Sequence, residues 1–567
     1  MLARQKVLWV AMVMCALACA LPARAVASAT QESGLIDDNE LLYSSPQHVT
    51  NRLEQLKALG VDRVKVSLTW SVVAPDPTSS KRPNFDATDP AAYPAGAWNI
   101  YDAVVRQATA LGLEVYVQII PPAPVWALPA NQPTNQGPEL GHAPKPAQFA
   151  EFVKAAGRRY SGSYVPPVPA GSPPPAGSPP PLLGGLGLPL LGAPPASGSG
   201  SSPPSASPST PPSTPEALPR VDYWGIWNEP NERSWLNPWF RKLPHRKQEL
   251  IQPVLYRGLV DAAWSALRAT GHGADTILVG ETANRGIVDP IPFVRALYCV
   301  SASSRPLRGR AASQVGCPTS STRSRFVTQH PGLFGATGYA HHPYGFDVPP
   351  NRPYPDRTFV TLYNLPSFER LLGGIFAVYG KGRRGGVPLY MTEWGYKTNP
   401  PNPFVKTSQA AQASWLDEGE YTTWKDPFVR MLTQFLLMDD APNPLYPVGS
   451  PQYWGTFQTG LLNLDGTQKP SYAAYRLPIW LPVARHGRRV TVWGQLRPAD
   501  NTKIQDGKIQ YRRKGSRAWR TIRVVQTASR EGFLVAHVAL PAAGQVRLAW
   551  QASGAGSVYY SRTVQVS

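Results

Sequence analysis

The chain has 567 residues, of which 42% are hydrophobic, and it contains 17 Trp and 24 Tyr. This composition excludes an intrinsically disordered protein, and the length favours two domains plus some irregular sequence. The net charge is +20, from 56 Lys and Arg against 36 Asp and Glu. The basic residues are scattered without a recognisable nucleic-acid-binding motif, so we predict no nucleic-acid partner. Anionic envelope polymers or acidic sugars are compatible neighbours of such a chain.

The first 29 residues have the pattern of an export signal. Arg4 and Lys6 precede an apolar run over 8–21, and Ala23-Arg24-Ala25 supplies the small-x-small pattern that a signal peptidase requires. The run is too short for a stable membrane span, and a retained anchor or a buried N-terminal helix are the alternatives. We therefore expect a secreted or cell-envelope protein with no membrane span after removal of the signal.

The expected export determines which cysteines remain in the mature protein. Export would remove Cys15 and Cys19 with the signal and leave Cys299 and Cys317. Two cysteines cannot form a zinc site alone, and an oxidising compartment favours a bond between them. We predict a disulfide between Cys299 and Cys317 that staples a loop, with two free thiols as the alternative.

Short apolar, β-branched runs alternate with amphipathic helical runs from about residue 34 to residue 481. This alternation is typical of parallel strands joined by helices, and eight rounds favour a closed (β/α)8 barrel, the TIM barrel, over residues 30–484. No Gly-rich phosphate loop follows the first strand, which disfavours an open sheet. The predicted strands are 35–38, 63–69, 113–120, 221–227, 276–280, 338–341, 387–392 and 453–457. The predicted helices are 47–59, 98–111, 147–160, 248–270, 293–298, 367–379, 426–438 and 472–476.

Two segments depart from this alternation. Residues 165–219 are almost wholly Pro, Gly, Ser and Ala, and we predict a disordered loop extruded from the barrel. An interdomain linker is disfavoured, because it would leave only three strands on one side. Residues 485–567 predict a small C-terminal immunoglobulin-like β-sandwich. Its alternating runs are 490–496, 507–513, 519–527, 532–540, 545–551 and 558–566.

Two carboxylates end predicted strands, where catalytic residues lie in barrels of this kind. Glu229 ends the fourth strand and Glu393 the seventh, 164 residues later (393 − 229). Glycosidic cleavage needs an acid for the departing oxygen and, in retaining enzymes, a second carboxylate about 5–5.5 Å away as nucleophile. Carboxylates on strands four and seven can reach that separation across the barrel mouth. The pair therefore indicates a sugar-cleaving pocket.

The motifs around these residues, WNEP at 227–230 and TEWG at 392–395, resemble those of glycoside hydrolase clan A, the retaining (β/α)8 enzymes. Within the clan the chain is similar to the cellulase-like family 5 and to families 39 and 42, over roughly residues 34–481. The resemblance implies that Glu229 is the acid/base and Glu393 the nucleophile. It also implies that Asn228 is the neighbouring amide that binds a sugar hydroxyl.

The resemblance extends to the sixth and eighth strands and departs at the second. It implies that His342 and Tyr344 form the His-x-Tyr motif whose tyrosine hydrogen-bonds the nucleophile. It implies further that Trp454 is the strand-eight tryptophan that floors the subsite. Family 5 usually places an Arg on strand two to hold the nucleophile, and this chain has Lys65 there. Lys keeps the charge but lacks the bidentate fork.

Other strand ends are less specific. Glu281 ends the fifth strand, where an ion pair with a nearby Lys or Arg is the favoured role. His341 and His342 lack a third ligand at suitable spacing, so sugar binding or core packing is favoured over a metal site. Trp70 and Trp126 are candidates for substrate binding, with ordinary packing at the barrel top as the alternative.

Together these features predict a secreted retaining glycoside hydrolase that cleaves β-linked poly- or oligosaccharide by double displacement. No metal or organic cofactor is implied. One alternative is a catalytically weak carbohydrate-binding or envelope-structural protein on the same barrel. The other is a transglycosylase that hands the sugar to another sugar.

Overall fold

The computed structural model describes residues 27–130, 141–167, 216–242, 248–319, 323–383, 386–483, 487–552 and 557–567. Most of the predicted export signal and most of the predicted Pro-rich loop, residues 1–26 and 168–215, lie outside these ranges. Within the described ranges, no helix combines the length and the apolarity that a bilayer crossing requires.

Eight strands form a closed parallel barrel, which confirms the predicted fold. Neighbours in sequence pair with each other, and the first strand closes the barrel by pairing with the last, Glu32 opposite Met431. The strands are β1 (Glu32–Ile36), β2 (Arg63–Thr69), β3 (Glu114–Ile120), β4 (Tyr223–Ile226), β5 (Thr276–Ala283), β6 (Gly338–His342), β7 (Leu389–Trp394) and β8 (Val429–Phe435).

Helices cover the outside of the barrel, so the strands are buried on both faces. In β2, for example, every residue is buried. The main helices are α1 (Pro46–Leu59), α2 (Asn99–Ala110), α3 (Pro146–Arg159), α4 (Gln252–Ala269), α5 (Pro290–Leu297), α6 (Leu365–Val378), α7 (Gln409–Trp424) and α8 (Pro470–Arg476). Shorter helices and turns are Asp38–Leu41, Trp70–Val73, Pro90–Ala92, Val125–Ala127, Gly309–Ser313, Arg323–Gln329, Pro331–Gly335, Leu362–Asn364 and Tyr453–Gly455.

The eighth βα unit differs from the prediction. The predicted helix over 426–438 is strand β8, and the predicted strand over 453–457 is a 3-10 turn in the following loop. The helix that precedes β8 is α7, which the sequence pattern did not indicate. A smaller correction lies before α4, where residues 248–250 pair with Phe240–Lys242 as a two-stranded hairpin instead of starting the helix.

The C-terminal residues form two antiparallel sheets around a separate core, which confirms the predicted sandwich. One sheet has the order β9-β10-β13, and the other has the order β12-β11-β14-β15 with β16 also paired to β14. The predicted last strand, 558–566, is split into β15 and β16. The strands are β9 (Ile479–Trp480), β10 (Arg489–Gln495), β11 (Asp506–Arg513), β12 (Arg520–Gln526), β13 (Phe533–Ala539), β14 (Gly544–Trp550), β15 (Tyr559–Tyr560) and β16 (Val564–Val566).

The sandwich packs against α7 and the α1–β2 turn, at the end of the barrel where the strands begin. Arg497 forms an ion pair with Glu420 of α7 at 2.6 Å, and both side chains are buried. At the turn, Gly60 has φ 82°, and a Cβ on it would lie 2.3 Å from the backbone of Arg497. Only glycine fits this left-handed and crowded position. The sandwich therefore lies opposite the C-terminal strand ends that carry the predicted site.

The structure contains the predicted disulfide between Cys299 and Cys317. It joins the residue that follows Tyr298 at the end of α5 to a loop 18 residues further on. The guanidinium of Arg257 lies beneath it and donates to the carbonyl oxygens of Ala296 and Leu297. The bond therefore ties the loop to the outer helical layer, away from the strand ends.

Candidate active site

Glu229 follows β4 and Glu393 lies near the end of β7, so the two face each other over the mouth of the barrel. The backbone around them is constrained. Trp227, Glu229 and Glu281 have φ of 68°, 37° and 46°, in the left-handed region that non-glycine residues seldom adopt. The Glu229 N–H donates to the Glu281 carbonyl oxygen at 2.9 Å, which fixes β4 against β5. Such backbone strain concentrates at functional sites.

The carboxyl groups of Glu229 and Glu393 come close to each other, as the sequence prediction requires. One oxygen of each lies within 4.8 Å of the other, with His342 in the same cluster. The Glu229 side chain is 17% exposed and that of Glu393 is 12% exposed. Both carboxyl groups are therefore largely removed from water, yet reachable by a molecule that enters the barrel mouth.

Each carboxylate oxygen of Glu393 accepts a bond from a different donor. Lys65 Nζ lies 3.1 Å from Oε1, and the Tyr344 hydroxyl donates to Oε2 at 3.1 Å. Lys65 also donates to the Thr392 carbonyl oxygen at 3.2 Å. Lys65 thus occupies the position where the resemblance places an Arg. Its positive charge contacts one oxygen of Glu393, and Tyr344 donates to the other. This pattern orients the carboxylate and stabilises its charge.

His342 bridges the carboxylates at the bottom of the pocket. Its Nδ1 lies 2.9 Å from Glu229 Oε1, and its Nε2 lies 3.0 Å from Glu281 Oε2. Burial would lower the pKa of His342, but the charge of Glu393 and the bonds to Glu229 and Glu281 outweigh it and raise the pKa to about 9. At neutral pH the ring is therefore an imidazolium that donates from both nitrogens.

Glu281 is a third carboxylate beneath the pair, and it is fully buried. It lies 3.5 Å from Lys65 Nζ and accepts a bond from the Thr392 hydroxyl at 2.7 Å and another from Tyr116. Burial would raise the pKa of Glu281, but the charge of Lys65 and the bond from His342 outweigh it and lower the pKa to about 2. The expected ion pair with a Lys is present, and it belongs to the site itself.

The charges of this cluster indicate which of its three carboxyl groups is protonated. Lys65 and His342 carry two positive charges, so the cluster is neutral only if one of the three carboxyl groups is protonated. Burial, with a contribution from the charge of Glu393, raises the pKa of Glu229 against the opposing bond from His342. Glu281 stays ionised, and Glu393 has two donors on its carboxylate. The geometry therefore favours Glu229 as the protonated member.

Glu229, His342 and Glu393 have the spacing that could hold a metal ion. A histidine ligand must offer a nitrogen lone pair, however, and both ring nitrogens of His342 are already bonded to carboxylates. The neighbouring His341 is a core residue. It bonds the Val360 carbonyl oxygen at 2.7 Å and the Thr282 hydroxyl at 2.9 Å, and burial lowers its pKa to about 3.

Asn228 is oriented by Gln118, which was not predicted from the sequence. Gln118 of β3 donates to the Asn228 side-chain oxygen at 2.9 Å and to the Trp227 carbonyl oxygen at 2.8 Å. With its oxygen occupied, the Asn228 amide has its N–H groups left for another acceptor. A glutamine on β3 carries no sequence signal for this role, because its importance depends on the neighbouring strand.

The predicted tryptophans are not equivalent. Trp70 is fully buried and stacks on Phe152 at 5.1 Å, while Trp126 is 3% exposed and donates to the Pro75 carbonyl oxygen. These rings offer no accessible face to a sugar, so the predicted substrate-binding role does not fit them. Trp454 is half-buried, and it lies in the loop after β8 instead of in a strand.

Asp38 is a further carboxylate near the site, and the sequence reading did not single it out as a site residue. It follows β1, is half-buried and accepts a bond from the Ser67 backbone N–H at 3.1 Å. Burial raises the pKa of Asp38, and the charges of Lys65 and Glu393 act on it in opposite directions. Its position at a strand end, beside the nucleophile candidate, suits a hydroxyl-binding role.

Comparisons with known proteins concern the fold. No protein-family model matches the chain, and no curated protein matches it. Similar solved structures include a family 39 glycoside hydrolase from Bacteroides cellulosilyticus WH2, 13% identical, covering 91% of this chain and 80% of that one with a TM-score of 0.45. A glucosidase from Croceicoccus marinus is 12% identical over 91% of this chain and 83% of that one, with a TM-score of 0.43. GH5_18 from Streptomyces cattleya, in complex with GlcNAc, is 13% identical over 79% of each chain, with a TM-score of 0.42. The closed parallel eight-stranded barrel expected from the clan A resemblance is the architecture observed here.

Proposed function

We propose that the protein is a retaining glycoside hydrolase that cleaves β-linked poly- or oligosaccharide. The observation that supports this most directly is the approach of Glu229 and Glu393, whose nearest carboxylate oxygens lie within 4.8 Å. Retaining enzymes hold the two carboxyl groups about 5–5.5 Å apart, whereas inverting enzymes need about 6.5–9.5 Å to admit a water between them. The spacing therefore favours a nucleophilic carboxylate over direct attack by water.

In the first step, Glu229 gives its proton to the glycosidic oxygen while a Glu393 oxygen attacks the anomeric carbon. The bond from that carbon to the leaving oxygen breaks, and an ester to Glu393 forms. The negative charge on Glu393 is lost in the ester, which would leave Lys65 unpaired in a buried site. Glu281, 3.5 Å from Lys65, remains as its counter-charge.

In the second step, the ionised Glu229 takes a proton from a water that attacks the anomeric carbon and releases Glu393. Between the two steps Glu229 carries a negative charge in a largely dry pocket. The imidazolium of His342, 2.9 Å away, stabilises that charge. The same pair of residues thus serves acid and base catalysis.

Sugar hydroxyls would be held from two sides. The free N–H groups of Asn228 suit the hydroxyl next to the anomeric carbon, where a hydrogen bond strengthens in the transition state. The Asp38 carboxylate suits a hydroxyl further round the ring. The predicted signal and the disulfide between Cys299 and Cys317 support the proposal that the enzyme acts outside the cytoplasm.

The test begins with a reducing-sugar screen over cellulose, mannan, xylan, galactan and arabinan. On the substrate found, Glu393→Gln should abolish turnover, and Glu229→Gln should lower it roughly 10²–10⁴-fold. An aryl glycoside of the same sugar then separates the roles. Azide should rescue Glu229→Ala with retention of the anomeric configuration, and rescue Glu393→Ala with inversion.

Two results would contradict the proposal. One is full activity in Glu393→Gln, and the other is rescue with the two stereochemical outcomes exchanged. Asp465→Asn is a matched control, because Asp465 is an exposed carboxylate in the turn 463–467 whose partner is Thr467. A product mixture that contains longer sugars would identify transglycosylation by the same two glutamates.

A further inference from the structure

The positive charge of the chain is concentrated in the sandwich. Residues 487–567 contain 14 Lys and Arg against three Asp and Glu, a net charge of +11 out of the +20 of the whole chain. Two of these arginines, Arg497 and Arg562, pair with Glu420 and Asp417 of the barrel. The excess carried by the remaining residues has too few acidic neighbours within the sandwich to neutralise it.

Part of this charge lies on the outer face of the five-stranded sheet. Residues directly opposite in neighbouring strands share a face, and Arg512 lies opposite Gln545 while Gln510 lies opposite Arg547. Trp519, which precedes β12, contacts both arginines, and Tyr560 of β15 contacts Arg547. We name the set the arginine–aromatic face, and it comprises Gln510, Arg512, Trp519, Gln545, Arg547 and Tyr560.

The two guanidinium groups alternate with the two rings. Arg512 Cζ lies 4.8 Å from the Trp519 ring centre. Arg547 Cζ lies 4.2 Å from the same centre and 3.8 Å from the centre of Tyr560. Two positive charges therefore share one indole, and neither is in an ion pair with a described carboxylate. Contacts with the rings restrict the guanidinium planes, so less entropy is lost when they bind an anion.

The glutamines fix the orientation of these arginines further. Arg512 Nε donates to the Gln545 side-chain oxygen at 2.8 Å, and Arg547 Nε donates to that of Gln510 at 2.9 Å. The two Nη groups of Arg547 donate to no acceptor among the described residues. Its terminal edge therefore presents parallel N–H groups at the surface, the geometry that binds a carboxylate in a bidentate manner.

We propose that the arginine–aromatic face binds an acidic polysaccharide through its carboxylate groups. Arg, Trp and Tyr also occur at protein interfaces, but such an interface needs an apolar centre, and the remaining members of this face are the polar Gln510 and Gln545. A single-stranded nucleic acid would need free aromatic faces for base stacking, and here the guanidinium groups already contact both rings. A polymer with a carboxylate on successive sugars matches two cations held side by side.

This site is separate from the barrel mouth. The sandwich packs on α7 at the end of the barrel opposite Glu229 and Glu393, so a bound polymer would not occupy the catalytic pocket. Its role would be to hold the protein at an acidic matrix. Binding at this face can therefore be tested independently of catalytic turnover.

Affinity electrophoresis of the full-length protein tests it, with polygalacturonate as the carboxylated probe and dextran as the neutral one. Polygalacturonate should retard the protein at low salt, dextran should not, and added salt should weaken the retardation. Arg512→Gln with Arg547→Gln should weaken binding by at least roughly tenfold. The matched control is Arg513→Gln with Arg530→Gln, which removes the same charge from exposed positions outside this face.

Thermal melting of each variant establishes that the sandwich remains folded. The proposal is overturned if polygalacturonate gives no retardation, or if the control pair weakens binding as much as the Arg512 and Arg547 pair. It is also overturned if a single-stranded oligonucleotide binds more tightly than polygalacturonate through the same two arginines. Trp519→Leu is a second variant, which should weaken binding without a change in charge because it releases both guanidinium planes.

Discussion

Glu281→Gln is the substitution that tests the charge arrangement beneath Glu229 and Glu393, the proposed catalytic pair. Glutamine has the shape of a protonated carboxyl group, so it removes the charge and keeps the volume. In the native protein Glu281 balances both Lys65 and His342, at 3.5 and 3.0 Å. Without it the two cations have only Glu393 as a counter-charge, unless Glu229 ionises against its raised pKa. The substitution should therefore destabilise the fold and release the proton of His342 more easily.

The expected loss of stability follows from the lowered pKa of Glu281, which moves from 4.5 to about 2 on folding. At about 1.4 kcal/mol per pKa unit, this corresponds to about 3 kcal/mol of stability at pH 7. Because the folded pKa is depressed, the stabilisation is present above the unfolded pKa and is lost as pH falls toward 2. At pH 3.5 the same linkage between pKa and stability gives a contribution of Glu281 of about 2 kcal/mol. Loss of one partner of a buried ion pair typically costs a similar amount.

Urea unfolding of the native protein and of Glu281→Gln, at pH 7 and at pH 3.5, measures both values. An NMR titration of the His342 ring should show its pKa well below the native value of about 9. Asp465→Asn serves again as the control for loss of a surface carboxylate. A cost of less than about 1 kcal/mol at pH 7, or an unchanged titration of His342, would show that Glu281 does not balance the two cations.

Three further predictions concern the site and the disulfide. Tyr344→Phe removes the donor to Glu393 Oε2 and should lower kcat/KM roughly 10- to 150-fold with little change in folding, measured by steady-state kinetics. The pKa of Glu229 is raised, so kcat/KM should keep rising or stay level above pH 4.5 and fall only on a basic limb, which Glu229→Gln should lack. A pH–rate profile with its basic limb below pH 4.5 would contradict this. Cys299→Ser with Cys317→Ser opens a loop of 18 residues and should cost about 3 kcal/mol in urea unfolding while activity is kept.

Much of the fold could be predicted from the sequence because short apolar, β-branched runs alternate with longer amphipathic helical runs. The eighth unit was the exception, and strand β8 shows why. Its segment, Val429–Phe435, continues into Leu436 and Leu437, and the apolar residues recur at helical spacing. Burial on both faces of a barrel strand produces the same composition, so periodicity alone cannot separate the two.

Helix α7 was missed for a different reason. Its buried residues include Asp417, Glu418 and Glu420, which read as a solvent-facing surface. Two of these acids are buried because Arg562 and Arg497 of the sandwich pair with them. Because these arginines belong to the other domain, the sequence around α7 does not indicate that its acidic residues are buried.

Most residues of the candidate site were named from the sequence, whereas Gln118 and Asp38 were not. Glu229, Glu393 and Tyr344 were named from motifs, and Lys65 of strand two was expected beside Glu393, the proposed nucleophile. Gln118 acts by orienting a neighbour, and its role depends on strand register that no local motif encodes. The same limit explains Trp70 and Trp126, because whether a ring at a strand end faces the pocket or the helical layer depends on the loops around it.

The stereochemistry of the first product tests the central claim most directly. Proton NMR recorded in the first minutes of hydrolysis distinguishes the α and β anomers of the released sugar before they interconvert. Double displacement through Glu393 predicts that the β anomer appears first from a β-linked substrate. First appearance of the α anomer would show a single displacement by water, and two carboxylates with oxygens within 4.8 Å of each other would then have another role.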